Sequence, residues 1–393
     1  MYRYSLTADI HALLDRLEVL RSALDSSGVL PRRWMGRLRR DLEVEAVAAS
    51  TSMEGVPVTV DEVRRILAGD RPSTVSEADA ALVAGYRDAM AFVLRRAEAT
   101  GFEWQSELFI AIHDRAMGGD FAAGAGDYRS RQVFIGSVER GLVYVPPPPE
   151  DVARLVDELA VWLRASEAVP APVRAALAHV RLAGIHPFPD GNGRVARIVA
   201  SLVMVRGGYR RPEFTSLEEW WGAHRDDYYA AFACLGDRWE AAADVTPFVQ
   251  VHLRAQVTQV EALSLRSATE RAIWTVLEDI VTEDLNAPPR LANALFDAFF
   301  GRSVTNRYYR GLADVQAATA ASDLRRLEAA GLLRSVGAGR ATIYVGTTRL
   351  AAGIAAAAGL PAPEPNAPLE AQRGSIVVGL AEQLKDHGGA EAR

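Results

Sequence analysis

The tightest constraint on this chain is one run of twelve residues: His186, Pro187, Phe188, Pro189, Asp190, Gly191, Asn192, Gly193, Arg194, Val195, Ala196, Arg197. It is too rich in Pro and Gly at its start to be helix, so 186–193 must be a loop. Helical sequence flanks it, from Ala171 to Ile185 before and from Arg194 to Val205 after. Gly191 and Gly193 permit positive φ and let backbone amides approach a ligand closely. The first N–H groups of the next helix lack intrahelical acceptors and form an anion site. Arg194 and Arg197 lie three apart, share a helix face and can clamp phosphate oxygens bidentately. Asp190 beside a polyphosphate is a candidate Mg²⁺ ligand. His186 has an ordinary pKa suited to taking a proton from a hydroxyl. Alone, each piece is commonplace: a packing histidine, a turn, a solvated arginine pair. Together within twelve residues they point to a phosphate-handling site.

The remaining chain bounds the setting. The 393 residues are 49% hydrophobic and 24% charged, an ordinary globular balance, and the length suggests two or three domains. A net charge of -6 argues against a globally basic nucleic-acid binder and leaves a local basic face open. Lys385 is the single lysine, so nearly all positive charge is arginine. Cys234 is the single cysteine, which rules out an intrachain disulfide. The stretch Met1 to Asp25 lacks a signal-peptide core, and no apolar run reaches membrane-spanning length. A cytoplasmic protein without membrane contact is expected.

The pattern is mainly α. Leu13, Leu14, Leu17 and Leu20 recur at helical spacing, and a second helix is expected from Arg37 to Thr51. Gly55 and Pro57 punctuate the chain; Thr59 and Ser76 are candidate N-caps. A loop is expected from Gly119 to Gly126. Arg131 to Ile135 and Leu142 to Val145, around Gly136 and Gly141, predict a hairpin closed by Pro146 to Pro149. Glu150 to Ser166 predicts a helix. Expected segments are 1–75 (helical), 76–260 (core), 261–350 (a C-terminal module) and 351–393 (a partly disordered tail).

Residues 186–197 resemble the Fic family motif, His-x-Phe-x-Asp/Glu-Gly-Asn-Gly-Arg-x-x-Arg, without a departure. The resemblance implies a helical Fic core that binds ATP with Mg²⁺. Its activity would be transfer of AMP to a Ser, Thr or Tyr hydroxyl of a target protein, with pyrophosphate leaving. By position, His186 would be the base and Asp190 the metal ligand. Gly191, Asn192 and Gly193 would form the phosphate nest, Arg194 and Arg197 would hold the β- and γ-phosphates, and Phe188 would anchor the loop. Gly126 to Arg129, Gln132 to Gly136 and Val145 to Pro147 look like the family's flap, whose Val133, Phe134, Ile135 and Gly136 would hold the target backbone as an added strand. His113, in a stretch resembling the family's early helix and turn, reads as structural. Tyr228 and Tyr229 read either as lining for the nucleotide or as a core aromatic pair.

Ser50, Thr51, Ser52, Met53, Glu54, Gly55 resembles the family's inhibitory motif, Ser/Thr-x-x-x-Glu-Gly/Asn. The resemblance implies the subclass with an N-terminal inhibitory helix, in which Glu54 pairs with Arg197 in the γ-phosphate's place. Val315 to Val345 resembles a winged helix-turn-helix. Helix Thr319 to Ala329 would be its recognition helix and Ala338 to Thr342 its wing tip, with Leu324 and Leu327 inward and Arg325, Arg326 and Arg340 outward. From Arg266 to Arg349 there are eleven Arg and nine Asp or Glu, a thin excess for phosphate attraction. DNA and a second copy of the chain are the further partners considered. Alternatives are a de-adenylylating enzyme, transfer of a phosphoryl group instead, and a DNA-binding regulator whose Fic core senses nucleotide.

Overall fold

The computed structural model describes residues 2–26, 32–120, 124–137, 142–339 and 342–391. They form two compact units, Met1–Glu261 and Ala262–Arg393, divided within the helix Thr246–Asp279.

The first unit is built around two consecutive helices separated by the 186–191 turn. We number helices in chain order: α1 Ala8–Ser26, α2 Arg32–Met53, α3 Val60–Leu67, α4 Glu77–Ala97, α5 Ser106–Ala116, α6 Pro149–Ala165, α7 Ala171–Ile185 and α8 Asn192–Arg206. Nearly every side chain of α7 and α8 is buried, so neither shows an amphipathic stripe; a helix apolar all round belongs at the centre of a bundle. α4 and α5 pack on α8, and α6 packs on α7. The short helices α9 Leu217–Ala223 and α10 Arg225–Ala231 lead to α11 Thr246–Asp279. α2 crosses α9 where Gly222 lies against Ala49; a Cβ there would come within 2.9 Å of the Ala49 Cβ.

Local signals explain the ends. Thr59 caps α3 in a full capping box with Glu62, and Ser76 caps α4 through the Asp79 amide. α2 ends in a Schellman arrangement: Val56 N–H donates to Thr51 O and Gly55 N–H to Ser52 O, with Gly55 at φ 86°. That stop puts Glu54 at the helix tip.

The hairpin is shorter than the sequence predicts. Its strands are β1 Ile135–Ser137 and β2 Leu142–Tyr144, antiparallel, with Ile135 opposite Tyr144. The expected start at Arg131 fails for a physical reason. Continuing the register would place Val133 against Pro146, which has no N–H to give. Val145 is also already taken, accepting from Trp239 N–H at 2.8 Å and donating to Asp237 O at 2.9 Å. Gln132 meets the Pro146 carbonyl through its side chain instead, at 2.9 Å. Gly141 lies outside the described residues.

The second unit contains the end of α11, then α12 Ala292–Phe299, α13 Asn306–Ala313 and α14 Ala317–Ala329. A hairpin follows, β3 Leu333–Val336 with β4 Ile343–Gly346, and Val304 adds a bridge to Tyr344. Leu324 and Leu327 are fully buried while Arg325 and Arg326 are exposed. Arg340 and the middle of the expected wing tip lie outside the described residues. The tail differs from its expected partial disorder: α15 Thr348–Ala357 and α16 Leu369–Glu391 are helices. Alanine favours helix, and Leu350, Ile354, Ile376 and Leu380 give these segments apolar contacts that bury them.

Candidate active site

The turn 186–191 is held from three sides. Asn192 closes it from within: its Oδ1 accepts from Phe188 N–H and its Nδ2 donates to Phe188 O, both at 2.9 Å. With its amide satisfied at both ends, the Asn192 side chain shapes the loop, and only its backbone N–H remains for a ligand. Phe188 is fully buried and stacks on His113 with centroids 3.8 Å apart. Burying such a ring contributes about 2–3 kcal/mol, which anchors the turn.

His113 is a strut. Gly126 N–H donates to its Nδ1 at 3.0 Å, so the proton sits on Nε2, which donates to Asp190 O at 3.0 Å. Burial pushes its imidazole down to about 4, consistent with this neutral tautomer. His113 therefore acts on the loop backbone, as the sequence suggests.

His186 caps α7 in the left-handed region, at φ 52° and ψ 59°. A side chain there costs roughly 1–3 kcal/mol unless its surroundings fix it. Its Nδ1 lies 3.4 Å from Ala183 O, so Nδ1 carries the proton and Nε2 keeps its lone pair. Burial is the main force pushing this imidazole down to about 4; the Ala183 contact opposes it and the Arg129 charge adds to it. The group is neutral near pH 7, with an open nitrogen at a half-buried position.

The start of α8 carries no side-chain cap, and Gly191 precedes it at φ 72°. Helix geometry leaves the amides of Asn192, Gly193 and Arg194 without intrahelical acceptors. Asp190 is mostly exposed at this end, 3.4 Å from Arg194. Arg194 is buried; it donates to Ala116 O at 3.1 Å, and its Nε has no hydrogen-bond partner.

Arg197, one turn further, has four of its five N–H donors engaged. Nη2 donates to Glu54 Oε1 at 2.8 Å and to Ser50 O at 3.2 Å, Nε to Ser50 Oγ at 3.0 Å, and Nη1 to Tyr228 Oη at 3.4 Å. Burial alone would weaken its charge, but the Glu54 carboxylate more than offsets this and holds its pKa above the ordinary value. Gly193 makes room for the pair: a Cβ there would sit 2.4 Å from Glu54 Oε1. Tyr228 is buried beneath Arg197 and donates in turn to His179, while Tyr229 is half-exposed and donates to Met53 O at 3.3 Å, at the tip of α2.

Of the flap positions, Ile135 and Gly136 lie in β1, and Val133 and the exposed Phe134 precede it. Two features go beyond what the sequence singles out. Arg129, quoted above only as part of the flap stretch, is buried among backbone carbonyls of the turn. Glu218 is buried behind Arg197, accepts from Tyr86 at 2.8 Å, and its burial raises its pKa. No periodicity marks a buried arginine or glutamate; only the three-dimensional fold reveals them.

The glycine turn thus brings together an uncapped helix start, two buried arginines and a neutral histidine, a set whose chemistry suits an anion. Residues 103–204 match the Fic/DOC family. It is 28% identical to "Protein adenylyltransferase Fic" of Nematostella vectensis over 258 residues, 64% of this chain and 55% of that protein. It is 29% identical to the protein of the same name from Culex quinquefasciatus over 243 residues, 60% and 44% of the two chains. The chain thus spans about half the length of these curated relatives. A Fic family protein from Desulfovibrio desulfuricans G20 shares the fold, with a TM-score of 0.58, 22% identity, and 88% of this chain and 98% of that one covered.

Proposed function

We propose that the chain is a protein adenylyltransferase that transfers AMP from ATP to a Ser, Thr or Tyr hydroxyl of a target protein, and that Glu54 holds it inactive. The observation that carries the reading is the juxtaposition of a neutral His186 with the uncapped start of α8, Arg194 and Arg197. His186 Nε2 takes the hydroxyl proton, the hydroxyl oxygen bonds to the α-phosphorus, and the bond to the bridging oxygen breaks, releasing pyrophosphate. The α8 amides and Arg194 neutralise phosphate charge, and Arg197 does so once it is free of Glu54.

The residues present fit Mg²⁺. Asp190 offers an exposed carboxylate beside the phosphate-binding amides, and among the described residues no group of three or more His, Cys, Asp or Glu converges. One carboxylate shared with phosphates suits Mg²⁺, which supplies charge neutralisation when bound. The target would add a strand to β1, whose only sheet neighbour among the described residues is β2.

The test is mass spectrometry of lysate incubated with ATP, Mg²⁺ and the Glu54→Gly protein. Added AMP on hydroxyl side chains is expected and should vanish with His186→Ala. Transfer of phosphate alone, or Glu54-dependent removal of AMP from an adenylylated protein, would replace this reading with the corresponding alternative.

The second unit supports a further role. We propose that it is a winged helix-turn-helix with α14 as recognition helix, a reading supported by its three helices, the hairpin and the Val304–Tyr344 bridge. We assign it DNA binding; a gel shift on genomic fragments that shows no retarded band in low salt would remove that role.

A further inference from the structure

The side chains that meet the carbonyls at the end of α7 come from the flap, not from the loop motif. A helix leaves its last carbonyls without partners, and here three successive ones, of Gly184, Ile185 and His186, fall at the C-terminal end of α7. All three are met by flap side chains. Tyr144, on β2, donates its hydroxyl to Gly184 O at 2.9 Å. Arg129, just before β1, donates from Nη2 to Ile185 O at 3.4 Å and from Nε to His186 O at 2.7 Å. The same guanidinium reaches both arms of the flap, giving Nη1 to Arg131 O at 3.1 Å and Nη2 to Pro147 O at 2.6 Å. The Arg129 backbone N–H adds a bond to Pro187 O at 2.9 Å. Gly184 is open for this approach: a Cβ there would meet the Tyr144 hydroxyl at 3.4 Å and the Tyr2 hydroxyl at 2.2 Å.

We infer that Arg129, assisted by Tyr144, is a positioning residue for His186: it locks the left-handed turn at the end of α7 to both arms of the flap, so the flap's position sets where Nε2 points. Three observations support a role beyond filling space. Arg129 is 4% exposed, and its hydrogen bonds among the described residues all go to backbone carbonyls. His186 holds a backbone conformation its side chain disfavours, and its own carbonyl receives the shortest of the bonds aimed at α7. The two arms of the flap are joined twice, by the ladder in which Tyr144 pairs with Ile135 and by the Arg129 guanidinium between Arg131 O and Pro147 O. Arg129 does not touch the reacting atoms; it acts through His186. A lysine cannot replace it, because one ammonium cannot reach four carbonyls spread around a planar fork.

The inference rests on the adenylyltransferase reading, and the test separates the two. In the Glu54→Gly background, Arg129→Gln should lower kcat for AMP transfer about 30-fold or more, within the range expected for a displaced catalytic group, with KM for ATP within about twofold. Tyr144→Phe keeps the ring packing and should lower kcat by about threefold to tenfold. Amide hydrogen exchange in 184–188 should speed up at least about tenfold in Arg129→Gln, without ATP present. Unchanged kcat in both variants overturns the inference, as does a parallel rise in KM and fall in kcat, which would mark a general loss of structure. If Arg129→Gln does not fold, Tyr144→Phe alone decides. If the Glu54→Gly parent transfers no AMP while exchange in 184–188 still responds, the functional reading fails and the positioning role stands; if exchange does not respond, the positioning role fails regardless of activity.

Discussion

Arg197 and Glu54, 143 residues apart in sequence, meet at 2.8 Å in a site where the arginine is almost completely buried. The arginine belongs to the glycine loop's helix and the glutamate to the tip of α2. An arginine paired in this way has four of its five N–H donors engaged, since Ser50 and Tyr228 take three beside the one given to Glu54.

Replacing Glu54 with Gly should therefore free Arg197 for phosphate. An internal competitor worth about 1.4 kcal/mol weakens a ligand tenfold. ATP should bind at least about tenfold more tightly to Glu54→Gly by calorimetry, and auto-adenylylation with radiolabelled ATP should rise in step. The folded state should lose about 3 kcal/mol by urea unfolding, because a buried arginine loses its carboxylate. A folded variant with unchanged ATP affinity and labelling would sink the idea.

The contact between Gly193 and Glu54 allows a stricter test. A Cβ at 193 would approach Glu54 Oε1 to 2.4 Å and Arg197 Nη1 to 3.0 Å. Gly193→Ala should cost about 2 kcal/mol in the wild type by overpacking. In the Glu54→Gly background the nearer obstacle is gone, so the cost should fall by at least about 1 kcal/mol. That coupling is read from a double-mutant cycle of unfolding free energies. Additive effects would mean that the side chains do not share the space beside Gly193.

The loop was legible because its residue types are forced by local chemistry: glycines where amides must be bare, arginines one helical turn apart, a histidine at a helix end. The tip of α2 was legible for the same reason, since Gly55 stops the helix beside Glu54. Arg129 was not, because its partners are carbonyls, which every residue has and no sequence displays. The hairpin's first strand was misplaced because Val145 is claimed by Asp237 and Trp239, a contact across 92 or more residues that strand propensity ignores. The two helices in the tail were missed because alanine runs read equally as helix or linker until Leu350, Ile354, Ile376 and Leu380 are seen to be buried.

Asn192 should tolerate no acidic replacement. Its amide group donates to Phe188 O and accepts from Phe188 N–H. Asn192→Asp keeps the second bond and turns the first into a repulsion between two acceptors. The loss of a buried hydrogen bond with an unsatisfied carbonyl costs about 1–3 kcal/mol. A fall of that size in unfolding free energy, with ATP binding weakened by the added negative charge at the anion site, is expected. Wild-type stability in Asn192→Asp would show that the loop is held without this bridge.

The pH dependence follows from the buried histidines. Burial pushes His113 and His186 down to about 4 and His252 to about 3, from an ordinary value near 6.5. Each binds its proton more readily when unfolded, so between these values the unfolded chain holds more protons and stability rises with pH. The contribution is complete above about pH 6.5 and is lost as the pH falls from there toward 4. At pH 5.5 each group should already have cost about 1 kcal/mol. Urea unfolding should therefore give a markedly lower free energy at pH 5.5 than at pH 7.5, and a flat profile would contradict the burial of these rings. The same shift keeps His186 neutral well into mild acid. For Glu54→Gly at saturating Mg²⁺-ATP, kcat should stay level from pH 8 to about 5.5, and an acid limb centred near 6.5 would show that the base is not the buried imidazole described here.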